Sequence, residues 1–578
     1  MKNKIILALI IICIDARAQL WYNKGQIFHC DPGVEMRVEG SFMNDSSAMS
    51  DHNGKIVIDS SLYNQSASIQ KGSGEYDVYG DWVNSAHFIR DTSFVHLKGG
   101  IEYIKGDSAS SFYNLAIEGS GRKIMQVNAS VYNNLSLNSL ELAINQDTLF
   151  IENPNPAAIF SSIAFASEGF VSTLDTGALL RKTNSISSYY YPFGSILGTA
   201  RFRPITISPS TASQNYFVCS FQNKKADLDK YYTANKDSDV CKVNTAFYHT
   251  INRTGGNSGA DITTGYLKAS DGNWSEIGNW NVTGNKWNNI KNGIFSNINS
   301  YQAVKRTGWN NFSSKPYALI NFIPVVDSLE GPSLLCKQAA GNFSALTDNL
   351  GSYVYLWSSS GGSFQGDSTK AKVNVEFTGS GTKKIFLTIT DTATGCASNN
   401  FSKAITVSPG PKAGFSLSYA NLFENSPITI IDSSKGAILW AWDFGNGKTS
   451  TAENPKTAYD NAGNYIISQI VTDANGCKDS TDKTLDIKCA LKVPNVFTPN
   501  GDGVNDVFLI EGICITEYTL EIFDRWGLLV YKGAMGSSAW DGHTPSGQIC
   551  PEGTYYYLLQ TTVAERSENT TGFITLLK

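Results

Sequence analysis

The residues best suited to chemistry lie in one short run near the C-terminus: Asn500, Gly501, Asp502, Gly503, Val504, Asn505 and Asp506. Asn500, Asp502, Asn505 and Asp506 offer carboxylate and amide oxygens at close spacing with glycines between, like the first half of a calcium loop. A full loop of the helix–loop–helix type asks for a glycine at its sixth position and a distal glutamate. Glu511 is present, but the glycine spacing does not fit. The same run also reads as a glycine-rich turn joining two strands. Other chemistries lack their residues. His29, His52, His87, His96, His249 and His543 are scattered, and neither a His-Glu-x-x-His zinc motif nor a Gly-x-Ser-x-Gly nucleophile elbow occurs. Gly445, Asn446, Gly447, Lys448 and Thr449 hint at a phosphate loop, yet Trp442 stands where its first glycine belongs. Carboxylates are plentiful, and no glycosidase-type pair can be picked out among them. The expectation is a non-enzymatic chain with calcium at 500–506 as its one cofactor candidate.

The elements that would carry these residues are strands. The 578 residues are rich in Gly, Ser, Asn, Thr and aromatics, with 17% charged, which favours β-structure with polar turns. The length implies several domains. A formal charge of −5 without a basic run argues against nucleic acid as a partner. Residues 19–184 carry a twenty-residue period. Met36-Arg37-Val38-Glu39-Gly40 aligns with Ile56 to Ser60, Tyr76 to Gly80, Val95 to Gly99, Leu115 to Gly119 and Leu135 to Ser139. Each unit reads apolar, x, apolar, x, small. The alternation is that of a strand face, and Asn44, Asn64 and Asn84 recur at a matching place. A parallel β-solenoid satisfies the pattern, because one rung cannot bury its own face and a stack can. Its outward residues, Arg37, Glu39, Asp59, Asp77, Tyr79, His96, Lys98 and Glu118, are mixed in character, and no single stripe is expected of them.

From 185 to 324 the period stops and the strand signals fit a β-sandwich. Trp274, Trp280, Trp287 and Trp309 cluster there. They read either as a sugar-stacking platform or as packing between two sheets. In 325–408, Cys336, Trp357 and Cys396 have an immunoglobulin-like spacing. Trp442, Asp443, Phe444, Gly445 and Gly447, followed by Tyr459, Gly463 and Tyr465, closely resemble the signature of the polycystic-kidney-disease (PKD) domain. That resemblance implies an extracellular spacer or adhesion unit over 409–488, with 325–408 as a divergent relative.

The final module, 489–578, carries four motifs in order: Pro494, Phe497, Thr498, Pro499, Asn500, Gly501, Asp502, Gly503, Asn505 and Asp506; then Arg525, Trp526 and Gly527; then Trp540, Asp541 and Gly542; then Gly553 to Tyr557. It resembles the gliding-motility-associated C-terminal domain, the type B sorting domain of type IX secretion. The resemblance implies recognition by the outer-membrane machinery and delivery to the cell surface. Trp526 is expected to be a buried aromatic of this module. The other end agrees with export. Lys2 and Lys4, an apolar run and a small-x-small site before Gln19 predict a signal peptide over 1–18 cleaved between Ala18 and Gln19.

In an exported chain the cysteines can form disulfides. The expected pairs are Cys219–Cys241, Cys336–Cys396 and Cys514–Cys550, with Cys477–Cys489 as a fourth. The whole is expected to be all-β: a solenoid, a sandwich, two immunoglobulin-like modules and a small sorting domain. Its expected role is that of an adhesin-like surface protein for an unread protein, surface or glycan ligand. The alternative is a carbohydrate-binding or polysaccharide-processing protein with its site in 30–323.

Overall fold

A computed structural model describes residues 20–161, 168–288, 293–298, 301–312, 316–347, 352–512, 517–563 and 566–578. The cleavage pair Ala18 and Gln19, and Cys514, lie outside them. The chain is almost entirely β. It forms two compact units: residues 1–327 with 347–356 and 388–401, and residues 328–346, 357–387 and 402–578.

The first unit opens with a solenoid of three parallel sheets. The pairing register is the one the period dictates. Met36 lies opposite Ile56, Ile56 opposite Tyr76, Tyr76 opposite Val95, Val95 opposite Leu115 and Leu115 opposite Leu135. These residues and their partners two places on, from Val38 to Leu137, are buried in one core. A slip of one residue would turn every one of them to water, so the alternation locks the register. The small fifth position is a contact point between rungs. A Cβ on Gly80 would stand 2.6 Å from the Ser60 carbonyl carbon, and one on Gly99 would stand 2.1 Å from the Tyr79 carbonyl oxygen.

At another corner the asparagines form a buried ladder. Asn23 Nδ2 donates to Asn44 Oδ1 at 2.9 Å, Asn44 to Asn64 at 3.1 Å and Asn64 to Asn84 at 2.9 Å. The same amides also satisfy carbonyls at the start of the following strands, at Ile69 and His87. The ladder thereby joins the rungs and pairs polar groups that would be costly to bury alone. Asn23 extends it one rung beyond the three asparagines visible as a repeat.

The period ends near residue 184, but the packing does not. The last rung strand, Ala178–Thr183, pairs antiparallel with Asn215–Gln222, so a solenoid sheet continues into the sandwich. One hydrophobic core runs from Met36 to Leu319. The second sandwich sheet orders its strands as Tyr189–Tyr191, Ile205–Pro209, Ala260–Tyr266, Tyr301–Trp309 and Gly293–Ile298. Trp274, Trp280, Trp287 and Trp309 are all buried, Trp280 edge-on to Trp287 at 5.6 Å. They are core, and the sugar-platform reading of these four residues falls.

In the second unit, two sheets close around Trp442, Phe444 and Tyr459 in the module of residues 409–488. The last module is a five-stranded sheet over a core of Phe497, Phe508, Trp540 and Tyr555.

The cysteine pairs differ from every one expected. Cys241 bonds Cys396, within the first unit, and Cys336 bonds Cys477, within the second. Cys489 is also in a disulfide. Cys219, Cys550 and Cys30 are free and buried. The physical reason is placement. Cys219 faces the core beside Tyr191 on a central strand, out of reach of the edge strand that holds Cys241. Cys396 sits in the turn after the strand Gly381–Asp391, not on the late strand that its immunoglobulin-like spacing suggested.

Candidate functional site

On the solenoid face that carries the period, the residues between core positions point outward. Glu35, Lys55, Glu75 and Phe94 form one column, and Arg37, Val57, Asp77 and His96 the next. The structure gathers their charges into one network, against the expectation of no stripe. Lys55 Nζ lies 3.4 Å from Glu75 Oε1 and 3.2 Å from Asp77 Oδ2. Lys98 Nζ reaches Asp77 Oδ1 at 2.8 Å and Glu118 at 3.8 Å. His96 sits between Glu118 Oε1, 3.1 Å from Nδ1, and Glu75 Oε1, 3.5 Å from Nε2, with its ring stacked on Phe94 at 4.1 Å. At the edge, Arg37 grips Asp59 with two bonds of 3.0 Å, while Glu39 and Tyr79 are exposed. Glu75 and Lys55 are the members that sequence reasoning missed. They precede the aligned block by one residue and share its period, which was the signal that could have found them.

Asp77 is the hub and is buried. Burial pushes its carboxyl up, but the bonds from Lys98 and Lys55 outweigh burial and hold it below the ordinary range. The hydrogen bond to Asp77 raises Lys55. Lys98 is raised as well, because Asp77 outweighs the cost of burying the ammonium. One ligand atom each from Glu75, Asp77 and His96 lies within 4.8 Å of the others, close enough to share a cation. The two lysines already take the Asp77 oxygens, so a metal would have to displace them.

The loop at 500–506 is held by its own backbone. Asp506 accepts from the amides of Asn500, Gly501 and Gly503 at 2.7–3.1 Å, and these bonds keep its carboxyl below the usual range. Asp502 Oδ1 accepts from Val504 N, Asp502 Oδ2 from Asn500 Nδ2, and Asn500 Oδ1 from Asp502 N. Asn505 has a φ of 57° and accepts through its carbonyl from Thr498 N at 2.8 Å. The side-chain oxygens of Asn500, Asp502 and Asp506, the expected calcium ligands, are thus each engaged in hydrogen bonds within the turn.

The remaining motif residues divide between turns and ring cores. Phe497 and Trp540 pack at 5.0 Å, Asp541 accepts from His543 N, and Gly542 at φ 83° lies against Pro499. Arg525, Trp526 and Gly527 form the turn after the strand Glu517–Phe523, pinned by Asp524. Trp526 is 86% exposed, which corrects its assignment to the core. Its backbone is what the turn uses, and the indole is left in solvent. In the preceding module Trp442 donates to Ala452 O at 2.8 Å and Tyr459 to Phe444 O at 2.9 Å, and Tyr465 packs on Tyr459 at 4.2 Å. Asp443 accepts from Gly445 N, and Gly445, Gly447 and Gly463 hold positive φ. The apparent phosphate loop is this hairpin turn.

Residues 491–576 match the CHU_C type IX secretion signal domain, and residues 423–489 match the PKD domain. Over 93 residues the chain is 36% identical to the pre-pro-metalloprotease PrtV of Vibrio cholerae, covering 16% of this chain and 10% of that protein. Over 57 residues it is 35% identical to the collagenase ColQ1 of Bacillus cereus, covering 10% of this chain and 6% of that protein. The chain thus spans a tenth or less of the length of these curated relatives. The PKD1 domain of Vibrio anguillarum Epp aligns at 32% identity and a TM-score of 0.13, covering 14% of this chain and 93% of that domain. The C-terminal signal domain marks the chain for export to the cell surface or beyond, and for interaction with the type IX machinery. Among the described residues no helix is long and apolar enough to cross a membrane.

Proposed function

We propose that this chain is a non-enzymatic, adhesin-like surface protein, with its ligand-facing part in residues 20–323 and the modules at 325–488 as spacers. The observation that supports this reading is the state of the solenoid charges. Glycoside hydrolysis needs one carboxyl kept protonated and a second free to attack or activate water. Asp77 is instead held ionised between two lysines. Such a network steadies the rungs and leaves a broad polar surface. The test compares cells displaying the full chain with cells displaying a version that lacks 20–323 and carries Cys396→Ser. Attachment to matrix or to neighbouring cells should be lost while the C-terminal modules still reach the surface. Equal attachment by both would sink the proposal.

Polysaccharide processing is the second reading, and one observation favours it: an imidazole seated between two carboxylates on an accessible stripe. It requires the purified chain to release reducing ends from a polysaccharide and His96→Ala, which removes the imidazole between Glu75 and Glu118, to stop that release.

A further inference from the structure

A different surface of the first unit has the chemistry of a ligand site. Where the outer face of the five-stranded sheet meets the solenoid strand Ile159–Ser161, there is a groove of about 530 Å³. That is within the usual range of ligand sites, roughly 300–1,000 Å³. Its floor is a single cross-strand row. Tyr190 lies opposite Thr206, Thr206 opposite Thr263 and Thr263 opposite Lys305. The row faces outward because the residues alternating with it, Tyr189, Ile205, Ile207, Ile262 and Val304, fill the core. Ser208 and Ser296 add hydroxyls beside it, and the 59% exposed Phe160, between the inward-facing Ile159 and Ser161, adds an apolar wall.

The lining is hydroxyl-rich and close to neutral. Among the described residues no carboxylate lines it, and the one cation that does, Lys305, is already held by Asp261 at 2.8 Å. An anion would find no free countercharge. An apolar ligand would strip water from the hydroxyls and return no hydrogen bonds. Among the described residues nothing hydrogen-bonds the side chains of Thr206, Ser208 or Thr263. Threonine on a strand has few rotamers, so these hydroxyls are fixed before any ligand arrives. A sugar presents hydroxyls around its rim and C–H patches on its faces, which are the two complements this groove offers.

We propose that the groove binds a neutral oligosaccharide without cleaving it. The inference rests on the surface-binding reading above and gives that reading a ligand class and a place. The experiment uses the exported full chain and calorimetric titration with cellotetraose, laminaritetraose, xylotetraose, mannotetraose and, as the acidic arm, tetragalacturonate. At least one neutral tetrasaccharide should bind with one site per chain. Thr206→Val and Thr263→Val should each weaken it roughly threefold to tenfold, and Ser208→Arg should abolish it by filling the groove, all with unchanged melting temperature. Silence of the wild-type chain towards all four neutral sugars, preference for tetragalacturonate, or affinity indifferent to the three variants would overturn the proposal. Cells displaying Ser208→Arg separate the two readings. If they attach as well as wild type, the groove falls and the surface-binding reading stands. If wild-type cells do not attach at all, the broader reading falls too.

Discussion

The solenoid and the two C-terminal modules are built of the same element and specified in opposite ways. In the solenoid a residue matters through its column. Asn64 is buried because Asn44 and Asn84 lie above and below it, and Asp77 is neutralised by Lys55 and Lys98 from the neighbouring rungs. In the modules a residue matters through its motif. Gly445, Gly447 and Gly527 make turns, and Trp442 or Trp540 fills a small core once, with no copy to share the load. Repetition spreads stability over nearest-neighbour contacts, whereas a small module concentrates it in a few rings and bridges.

The comparison can be strained first where the load is most concentrated. Cys336–Cys477 closes a loop of 141 residues, which chain entropy values at roughly 4–5 kcal/mol. Replacing both cysteines with serine should lower the melting temperature of the second unit and leave the solenoid transition in place. Non-reducing peptide mapping of the wild type should recover Cys336 linked to Cys477, and a Cys336–Cys396 peptide would refute that pairing. Next, Trp540→Ala removes a buried ring that contacts Phe497 and Tyr555, at a cost of about 3–5 kcal/mol. The last module should become protease-sensitive and export should fail, and normal surface display would show that the module does not depend on that core.

In the solenoid the expected effects are smaller. Gly80→Leu drives a side chain into the Ser60 backbone and should cost about 1–3 kcal/mol. An unchanged solenoid melting temperature would mean that the rungs are not in contact there. The Asp77 network adds a pH dependence. Its carboxyl is depressed in the fold, so its contribution is complete above the unfolded value of about 3.9 and is lost as pH falls through the lower folded value. Solenoid stability should therefore decline below about pH 4, and Asp77→Asn should flatten that decline. If the variant keeps the same acid slope, Asp77 is not the group responsible. The smallest effect belongs to Trp526→Ala. With the indole in solvent, stability should change by less than about 0.5 kcal/mol, and a cooperative loss of the module would return Trp526 to a structural role.

The sequence by itself determined whatever is local or periodic. The alternation from Met36 to Leu135 fixes both the strand and its register, since any slip exposes the apolar set. The turns around Gly445 and Asp502 follow from residues two to four apart. Only the tertiary structure decided what depends on distance in space. Cys219 and Cys241 are near in sequence, yet one faces the core and the other lies on an edge strand, so Cys241 met Cys396 instead. The outward charges became a stripe only when stacking set Lys55 beside Asp77, and the groove exists only because Ile159–Ser161 comes to lie against Thr206 and Thr263. Turn chemistry and side-chain alternation act over a few residues and are written in the chain. Pairing between remote side chains depends on where whole sheets pack, and no local pattern encodes that.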